Sequence, residues 1–391
     1  MSAPHVVGLG CRLNIAETER IREMVADGGD LIVVNSCSVT VEAVRQTRRT
    51  IRRAHADRPS ARILVTGCAA ETEHATIAAM PEVHALVPNA AKLLPASYGV
   101  SEHPRVSRHG WRTRAFVAIQ NGCDHACTFC IIPQGRGASR SRSVDDVAAE
   151  GEERMARGAA EIVLTGVDVT AWGSDLPGEP RLGTLILALL ERFPALPRLR
   201  LSSLDGAEID PLLFELIAQE HRVMPHLHLS LQHGDDLILK RMKRRHRRAD
   251  AVNLVERLRL RRPDLAVGAD VIAGFPTETE AHHAANVSLI RELGVVHGHI
   301  FPFSPRHDTP AARMPQVDSS TIRRRAAEVR QAVAETQAEW LMSLVGKPLR
   351  VLAEKDGRGY AENYARVATP GIEPGTITTI TPTCIEDTLL Q

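Results

Sequence analysis

"AFVAIQNGCDHACTFC", Ala115–Cys130, joins an apolar run to three cysteines in C-x3-C-x2-C spacing, Cys123, Cys127 and Cys130. The run Ala115–Asn121 reads as a buried strand. Five more runs of this kind follow, at Glu161–Gly166, Arg198–Ser202, His226–Leu231, Val267–Ala273 and His297–Phe303. Helical patterns separate them, such as Val144–Arg157, Leu182–Phe193, Ala249–Arg261 and Glu278–Leu293. Strand and helix in alternation predict a parallel sheet, and six such units predict an incomplete (β/α)6 barrel. The active sites of such barrels are built from the loops after the strands. The cysteine motif follows the first strand. "TGVDV" (Thr165–Val169), "SSLD" (Ser202–Asp205), "SLQHG" (Ser230–Gly234) and "GFPTET" (Gly274–Thr279) end later ones. Each alone is ordinary turn chemistry. Their shared place on one rim points to function.

The N-terminal third carries a second pattern. "HVVGLG", "LIVVNS" and "RILVTG" are three short apolar runs, each followed directly by a cysteine: Cys11, Cys37 and Cys68. Helical patterns near Asn14–Val25 and Val41–Ala56 lie between them. This is a parallel α/β arrangement of the Rossmann or flavodoxin kind, with repeats of about 30 residues. Residues just past the carboxyl ends of parallel strands share one edge, where ligands bind. The three cysteines are therefore expected to meet in space. The alternative is three buried core thiols, but the same position on three consecutive strands is hard to assign to chance.

Six of seven cysteines thus sort into two trios. Structural zinc takes four ligands, usually as two close pairs. A trio fits a [4Fe–4S] cluster held by three irons, with one iron left without a protein ligand. Cys384 remains, and reads as a small hydrophobe in a packed domain.

The chain has 391 residues, enough for two or three domains, and a net charge of +1, so its overall field favours neither nucleic acid nor any other partner. Aromatic residues make up 3%, which disfavours a base-stacking platform of many rings. The start "MSAPHVVGLGC" lacks a basic n-region, and no run reaches the ~20 apolar residues of a membrane span. The expected location is the cytoplasm, where cysteines serve as ligands more often than as disulfides.

The cysteine motif, with Phe129 before its third cysteine, resembles the signature of radical S-adenosylmethionine (SAM) enzymes. "LGCRLN", "VVNSCSVT" and "VTGC" resemble the N-terminal domain of the methylthiotransferases among them. "CTFCIIPQGRGASRSRS", "RLRLSSLD", "SLQHGDDLILKRMKRR", "GFPTETE" and "HIFPFSPRHDTPAARM" resemble their catalytic core, and "VGKPLRVLAEKDGRGYAENYARV" a short TRAM domain. The resemblance implies two [4Fe–4S] clusters and SAM. Cys123, Cys127 and Cys130 would hold the cluster that cleaves SAM to a 5′-deoxyadenosyl radical. Cys11, Cys37 and Cys68 would hold the auxiliary cluster that carries the inserted sulfur. Phe129, Gly166, Asp168, Ser203, Gln232 and Gly274 would contact SAM. An unactivated C–H calls for a radical, so none of the 17 histidines is given a catalytic role, and His125 is expected to be a loop residue. The electron donor and the sulfur source would come from outside the chain.

Gly10-Cys11-Arg12-Leu13-Asn14 resembles the branch acting on N6-threonylcarbamoyladenosine at position 37 of the tRNA anticodon loop. Two departures, His233 in "SLQHG" and Gln134-Gly135-Arg136-Gly137, are expected near the substrate cavity. The alternatives are the same chemistry on isopentenyl-adenosine 37 or on a ribosomal-protein aspartate, and, in another class, a non-catalytic zinc-dependent RNA-binding protein. Basic clusters fit RNA. Arg45, Arg48, Arg49, Arg52 and Arg53 fall at helical spacing, Arg136, Arg140 and Arg142 follow the cysteine motif, and Lys243, Arg244 and Arg245 lie in "KRMKRRHRR". A solvated surface is the alternative for any one cluster. The expected order is an N-terminal domain over 1–96, a linker over 97–112, the barrel over 113–317, a connecting helix over 318–345, and a TRAM-like β-domain over 346–391.

Overall fold

The computed structural model describes residues 3–100 and 113–391. Most of the expected linker, residues 101–112, lies outside them. The chain forms two compact units. The first comprises residues up to 100 with 120–140 and 304–312; the second comprises 113–119, 141–303 and 313–391.

The first unit is built on a parallel sheet of four strands in the order β1 (His5–Gly8), β2 (Leu31–Ser36), β3 (Arg62–Gly67) and β4 (Ala85–Leu86). Every residue of β2 is buried. Its side chains alternate between faces. Leu31 and Val33 join Val6, Ile21 and Leu64 in one core, while Ile32 and Val34 join Ile51, Ile63 and Val65 in the other. Burial on both faces is why "LIVVNS" reads as a continuous apolar run. Helix α1 (Arg12–Met24) supplies Ile21, and α2 (Val41–Asp57), capped by Thr40, supplies Ile51. Two short helices, α3 (Cys68–Thr72) and α4 (His74–Ala78), follow β3. In the cysteine loop, α5 spans Ile132–Arg136. The linear boundaries assign residues 120–140 and 304–312 to the barrel, but they pack in this unit. Ala311 N donates to Thr128 O at 2.9 Å, and Arg306 bonds Glu73 at 2.7 Å.

The second unit holds six parallel strands in sequence order: β5 (Arg114–Ala118), β6 (Glu161–Thr165), β7 (Arg198–Leu201), β8 (His226–Gln232), β9 (Ala266–Ala273) and β10 (Val295–Pro302). The two three-stranded halves join through a parallel bridge between Leu204 and Leu229. Helices α6 (Val144–Ala156), α7 (Leu182–Arg192), α8 (Pro211–Gln219), α9 (Asp236–Arg241), α10 (Arg248–Arg261) and α11 (Glu280–Glu292) connect them. Alternate residues, such as Ile162, Leu199, Leu229 and Val267, share one core with the helices. The other set is polar and includes Glu161, Arg198, Arg200, His226, His228 and Asp270. The open (β/α)6 architecture is therefore the one expected. Helix α12 spans Ser319–Leu344, and Asp318 caps it by accepting from Ser320 N and Thr321 N.

A six-stranded, mostly antiparallel sheet ends the chain: β11 (Leu349–Ala353), β12 (Arg358–Ala361), β13 (Arg366–Ala368), β14 (Ile377–Ile380), β15 (Ile385–Glu386) and β16 (Leu389–Leu390). It seats against the N-terminal ends of the barrel strands. Arg114, first in β5, bonds Glu354 and the Tyr364 hydroxyl. Arg198, first in β7, donates to Tyr360 O and Arg350 O. Arg114 lies 4.3 Å above the Tyr360 ring, and Tyr364 stacks on Tyr360. The aromatics of "GYAENY" thus pack against the barrel floor. Cys384, expected in a packed core, is exposed, because the two-residue strand that follows it lies at the edge of this sheet.

Candidate active site

The loops after β1, β2 and β3 each present one cysteine. Cys11 is the N-cap of α1, Cys37 follows β2, and Cys68 opens α3. Cys37 and Cys68 are buried, while Cys11 is exposed. Two glycines set this geometry. Gly10 and Gly67 precede Cys11 and Cys68 and both sit at φ 91°. A Cβ on Gly10 would fall 2.7 Å from Cys37 Sγ, and one on Gly67 would fall 2.5 Å from Ser36 O. The loops are cross-braced. Asn14 Nδ2 donates to Leu9 O and Ser36 O, and Ser36 Oγ accepts from Ala69 N and Ala70 N. Burial pushes the Cys37 thiol up to about 11, and the neighbouring sulfurs of Cys68 and Cys11 add to the rise. Sulfurs crowded at one sheet edge, with Cys37 resisting ionisation, call for a cationic centre to hold them as thiolates, so the donor set fits an iron–sulfur core.

In the other trio, all three cysteines are half-buried. His125 N donates to Cys123 Sγ, and Ile132 N donates to Cys130 Sγ, each at 3.4 Å. Hydrogen bonds to sulfur of this kind tune iron–sulfur ligands. Cys123 N reaches Gly137 O, and Ser139 N reaches Asp124 Oδ1. Gly122, at φ 77°, lets the loop close; a Cβ there would lie 1.9 Å from Ala138 O. His125 is a loop residue, as its position in the motif suggested.

Arg136 links the two trios. It was expected to face RNA, yet it is buried. Its Nε lies 3.2 Å from Cys68 Sγ, its Nη1 bonds Glu17 at 2.9 Å and Asn121 at 2.8 Å, and its Nη2 bonds Asn14. Lys92 Nζ bonds Glu17 from the other side at 2.6 Å. Burial by itself would raise the Glu17 carboxyl, but Arg136 and Lys92 outweigh it and hold the group below its usual range. Glu17 and Lys92 had no signal in the sequence beyond Glu17 lying one turn past Asn14 of "LGCRLN".

In the second unit, Gly166, Asp168, Ser203, Gln232 and Gly274 lie at or just past the carboxyl ends of four adjacent strands, β6 to β9. Phe129 belongs to the cysteine loop in the first unit. Asp168 is buried and accepts from Thr170 Oγ1. Gln232 has φ 65° where the pairing of β8 with β9 shifts register. Gly274, at φ 77°, leaves room for Ile322, which a Cβ would approach to 2.6 Å. Three adjacent strands also place His228, Asp270 and His299 together, with Asp270 Oδ1 bonded to the ring nitrogens of both histidines at 3.1 and 3.0 Å. Burial would raise Asp270, yet the two histidines hold it well below the ordinary carboxylate range.

Other expectations need correction. His233, expected near a cavity, is fully buried; its Nε2 lies 3.2 Å from Glu278, which also accepts from Gly274 N, Phe275 N and Arg325. Arg142 is bound to Ala118 O, Asp146 O and Glu150. Arg244 is nearly buried against Asp205 and Ser230 O. Arg245 is 44% exposed and bonds Asp205 and Glu208. The common reason is a carboxylate or carbonyl supplied by another part of the chain. Lys243 and Arg140 are exposed. On α2, Arg45, Arg49, Arg52 and Arg53 are exposed and Arg48 half-buried, opposite the buried Val44, Thr47 and Ile51; Glu42 pairs with Arg45 and Arg49.

The Radical SAM superfamily model matches residues 117–290, and the model described as Uncharacterized protein family UPF0004 matches residues 4–88. The chain is 43% identical over 379 residues to threonylcarbamoyladenosine tRNA methylthiotransferase MtaB of Rickettsia prowazekii, spanning 93% of this chain and 90% of that one. It is 32% identical over 398 residues to tRNA-2-methylthio-N(6)-dimethylallyladenosine synthase of a Ruegeria species, spanning 92% and 90%. A solved structure of the radical SAM methyltransferase TsrM from Kitasatospora setae, with tryptophan and a SAM analogue bound, shares the fold at a TM-score of 0.53 and 14% identity, over 82% of this chain and 80% of that one. Matches of this identity along nearly the whole length, on a fold that carries the cysteine motif after its first barrel strand, show that the chain belongs to the radical SAM tRNA methylthiotransferases, enzymes whose family chemistry implies SAM and a [4Fe–4S] cluster.

Proposed function

We propose that the enzyme inserts a methylthio group at carbon 2 of N6-threonylcarbamoyladenosine 37 of tRNA. The observation that carries the reading is the pair of three-cysteine sets in one compact unit, tied together through Arg136. The 43% identity to a relative named for threonylcarbamoyladenosine supports this substrate. Cys123, Cys127 and Cys130 hold one [4Fe–4S] cluster, and Cys11, Cys37 and Cys68 hold a second. With SAM bound, the first cluster supplies the radical chemistry that an unactivated C–H requires. Phe129, Gly166, Asp168, Ser203, Gln232 and Gly274 orient SAM. The arginines of α2, Arg45, Arg48, Arg49 and Arg52, bind RNA phosphates, with Arg140 and Lys243 as further contacts.

The same chemistry on isopentenyl-adenosine 37 is the second reading, favoured by 32% identity to a dimethylallyladenosine synthase. Nucleoside mass analysis of tRNA from a strain lacking the gene separates the two. Loss of 2-methylthio-threonylcarbamoyladenosine with accumulation of its precursor is expected. Loss of the isopentenyl counterpart instead would move the substrate and keep the chemistry. Stoichiometric zinc in place of iron in the purified protein would overturn both.

A further inference from the structure

Arg136 leaves the loop of the first cysteine trio and ends beside the second. Both Arg136 and Lys92 have side chains only 1% exposed, and Glu17 between them is 3% exposed. Two buried cations therefore share one carboxylate, and among the described residues no second carboxylate pairs with either. A buried charge requires compensation. Besides the neutral amides of Asn14 and Asn121, the guanidinium meets Cys68 Sγ, 3.2 Å from Arg136 Nε, which as a thiolate can carry the compensating charge. A [4Fe–4S] core on three thiolates is a net anion and gains one more negative charge on reduction.

We propose that Arg136 is a positioning residue for the second trio's cluster: it holds the Cys68 sulfur and raises the cluster's reduction potential. The inference rests on reading Cys11, Cys37 and Cys68 as cluster ligands. A fixed cation at a ligand sulfur favours the more negative, reduced state, as hydrogen bonds and charge around a metal site do generally. Asn14 and Asn121 bond opposite arms of the guanidinium and fix its plane. Asn89 Nδ2 donates to Gly135 O, one residue before Arg136, and anchors the loop. The two cysteine loops are thus joined by a charge as well as by packing.

The test uses the full-length chain with Cys123, Cys127 and Cys130 all changed to Ala, loaded with iron and sulfide without oxygen, so that only the second trio can hold a cluster. Iron per chain and the midpoint potential, followed by electron paramagnetic resonance, are compared with Arg136→Gln and Arg136→Lys added. Arg136→Gln is expected to lower the reduced-to-oxidised ratio at fixed potential at least tenfold, 59 mV for a one-electron couple. Arg136→Lys should recover part of this, since it keeps the charge without the planar fork. Loss of iron from Arg136→Gln with an unchanged circular dichroism spectrum also supports the holding role. Full iron with an unmoved potential overturns the proposal. If Arg136→Gln does not fold, Lys92→Met removes charge from the same network and should lower the potential by less; no change there overturns the charge argument. If the parent with the three alanines binds no iron, the second cluster is itself refuted and the proposal falls with it.

Discussion

Glu161→Gln tests the energetics of the barrel floor. Glu161, Arg198 and Arg200 are all inaccessible to solvent. Glu161 accepts two bonds from Arg200, at 2.7 and 3.1 Å, and lies 3.9 Å from Arg198. Burial lowers Arg198 to about 10 even with Glu161 beside it. One carboxylate therefore serves two buried guanidiniums. Removing one partner of a buried pair costs about 3–5 kcal/mol, because the other charge stays behind uncompensated. The control is Glu215→Gln. Glu215 pairs with Arg261 at 2.6 Å, but the two side chains are 50% and 36% exposed, so its loss should cost at most about 1 kcal/mol. Urea unfolding followed by circular dichroism measures both. Because Arg198 and Arg200 also donate to Tyr360 O, Arg350 O and Glu362 O, the C-terminal sheet should loosen together with the barrel in Glu161→Gln. Equal costs for the two variants would refute the reasoning.

Three other outcomes are expected. Glu17, Glu161, Asp270 and Glu278 all have folded values below the usual carboxylate range, so their contribution is complete above the ordinary value of about 4 and is lost as pH falls through the folded values; the urea midpoint should fall on acidification, less steeply in Asp270→Asn, and a midpoint that rises would contradict the sign. Cys127→Ala should abolish SAM cleavage, whereas Cys37→Ala should retain cleavage and lose methylthio transfer; normal transfer by Cys37→Ala would refute the division between the trios. Changing Arg48 and Arg52 to Glu should weaken tRNA binding and reduce the slope of log affinity against log salt by about one for each lost phosphate contact, and an unchanged slope would remove α2 from the RNA interface.

The barrel was legible because its strands alternate. In β8, Leu227, Leu229 and Leu231 face the helices while His226 and His228 do not, so a period of two survives in the sequence. Helix α12, Ser319–Leu344, falls within the connecting helix expected over 318–345. The second cysteine trio could be read because each member follows a strand. The fate of individual arginines could not be read. Arg136 sits in a run that looks like a phosphate-binding stretch, and the carboxylate that claims it lies 119 residues away. Arg142 and Arg244 are claimed in the same way by Glu150 and Asp205. Local spacing records charge, but only the fold shows which charges are neutralised. The same holds for "GYAENY" in the TRAM-like segment, whose rings meet Arg114 and Arg200.

The floor contacts also set a timetable for synthesis. Arg114, in the first barrel strand, waits for Glu354, which is 240 residues later. At about 5–20 residues per second on the ribosome, that interval is tens of seconds. During it the six strands are made while Arg114, Arg198 and Arg200 lack their C-terminal acceptors. A nascent chain in that window has Glu161 for Arg198 and Arg200, but not yet the carbonyls and Glu354 of the last sheet. Products that stop before Leu349 would leave those arginines without these partners.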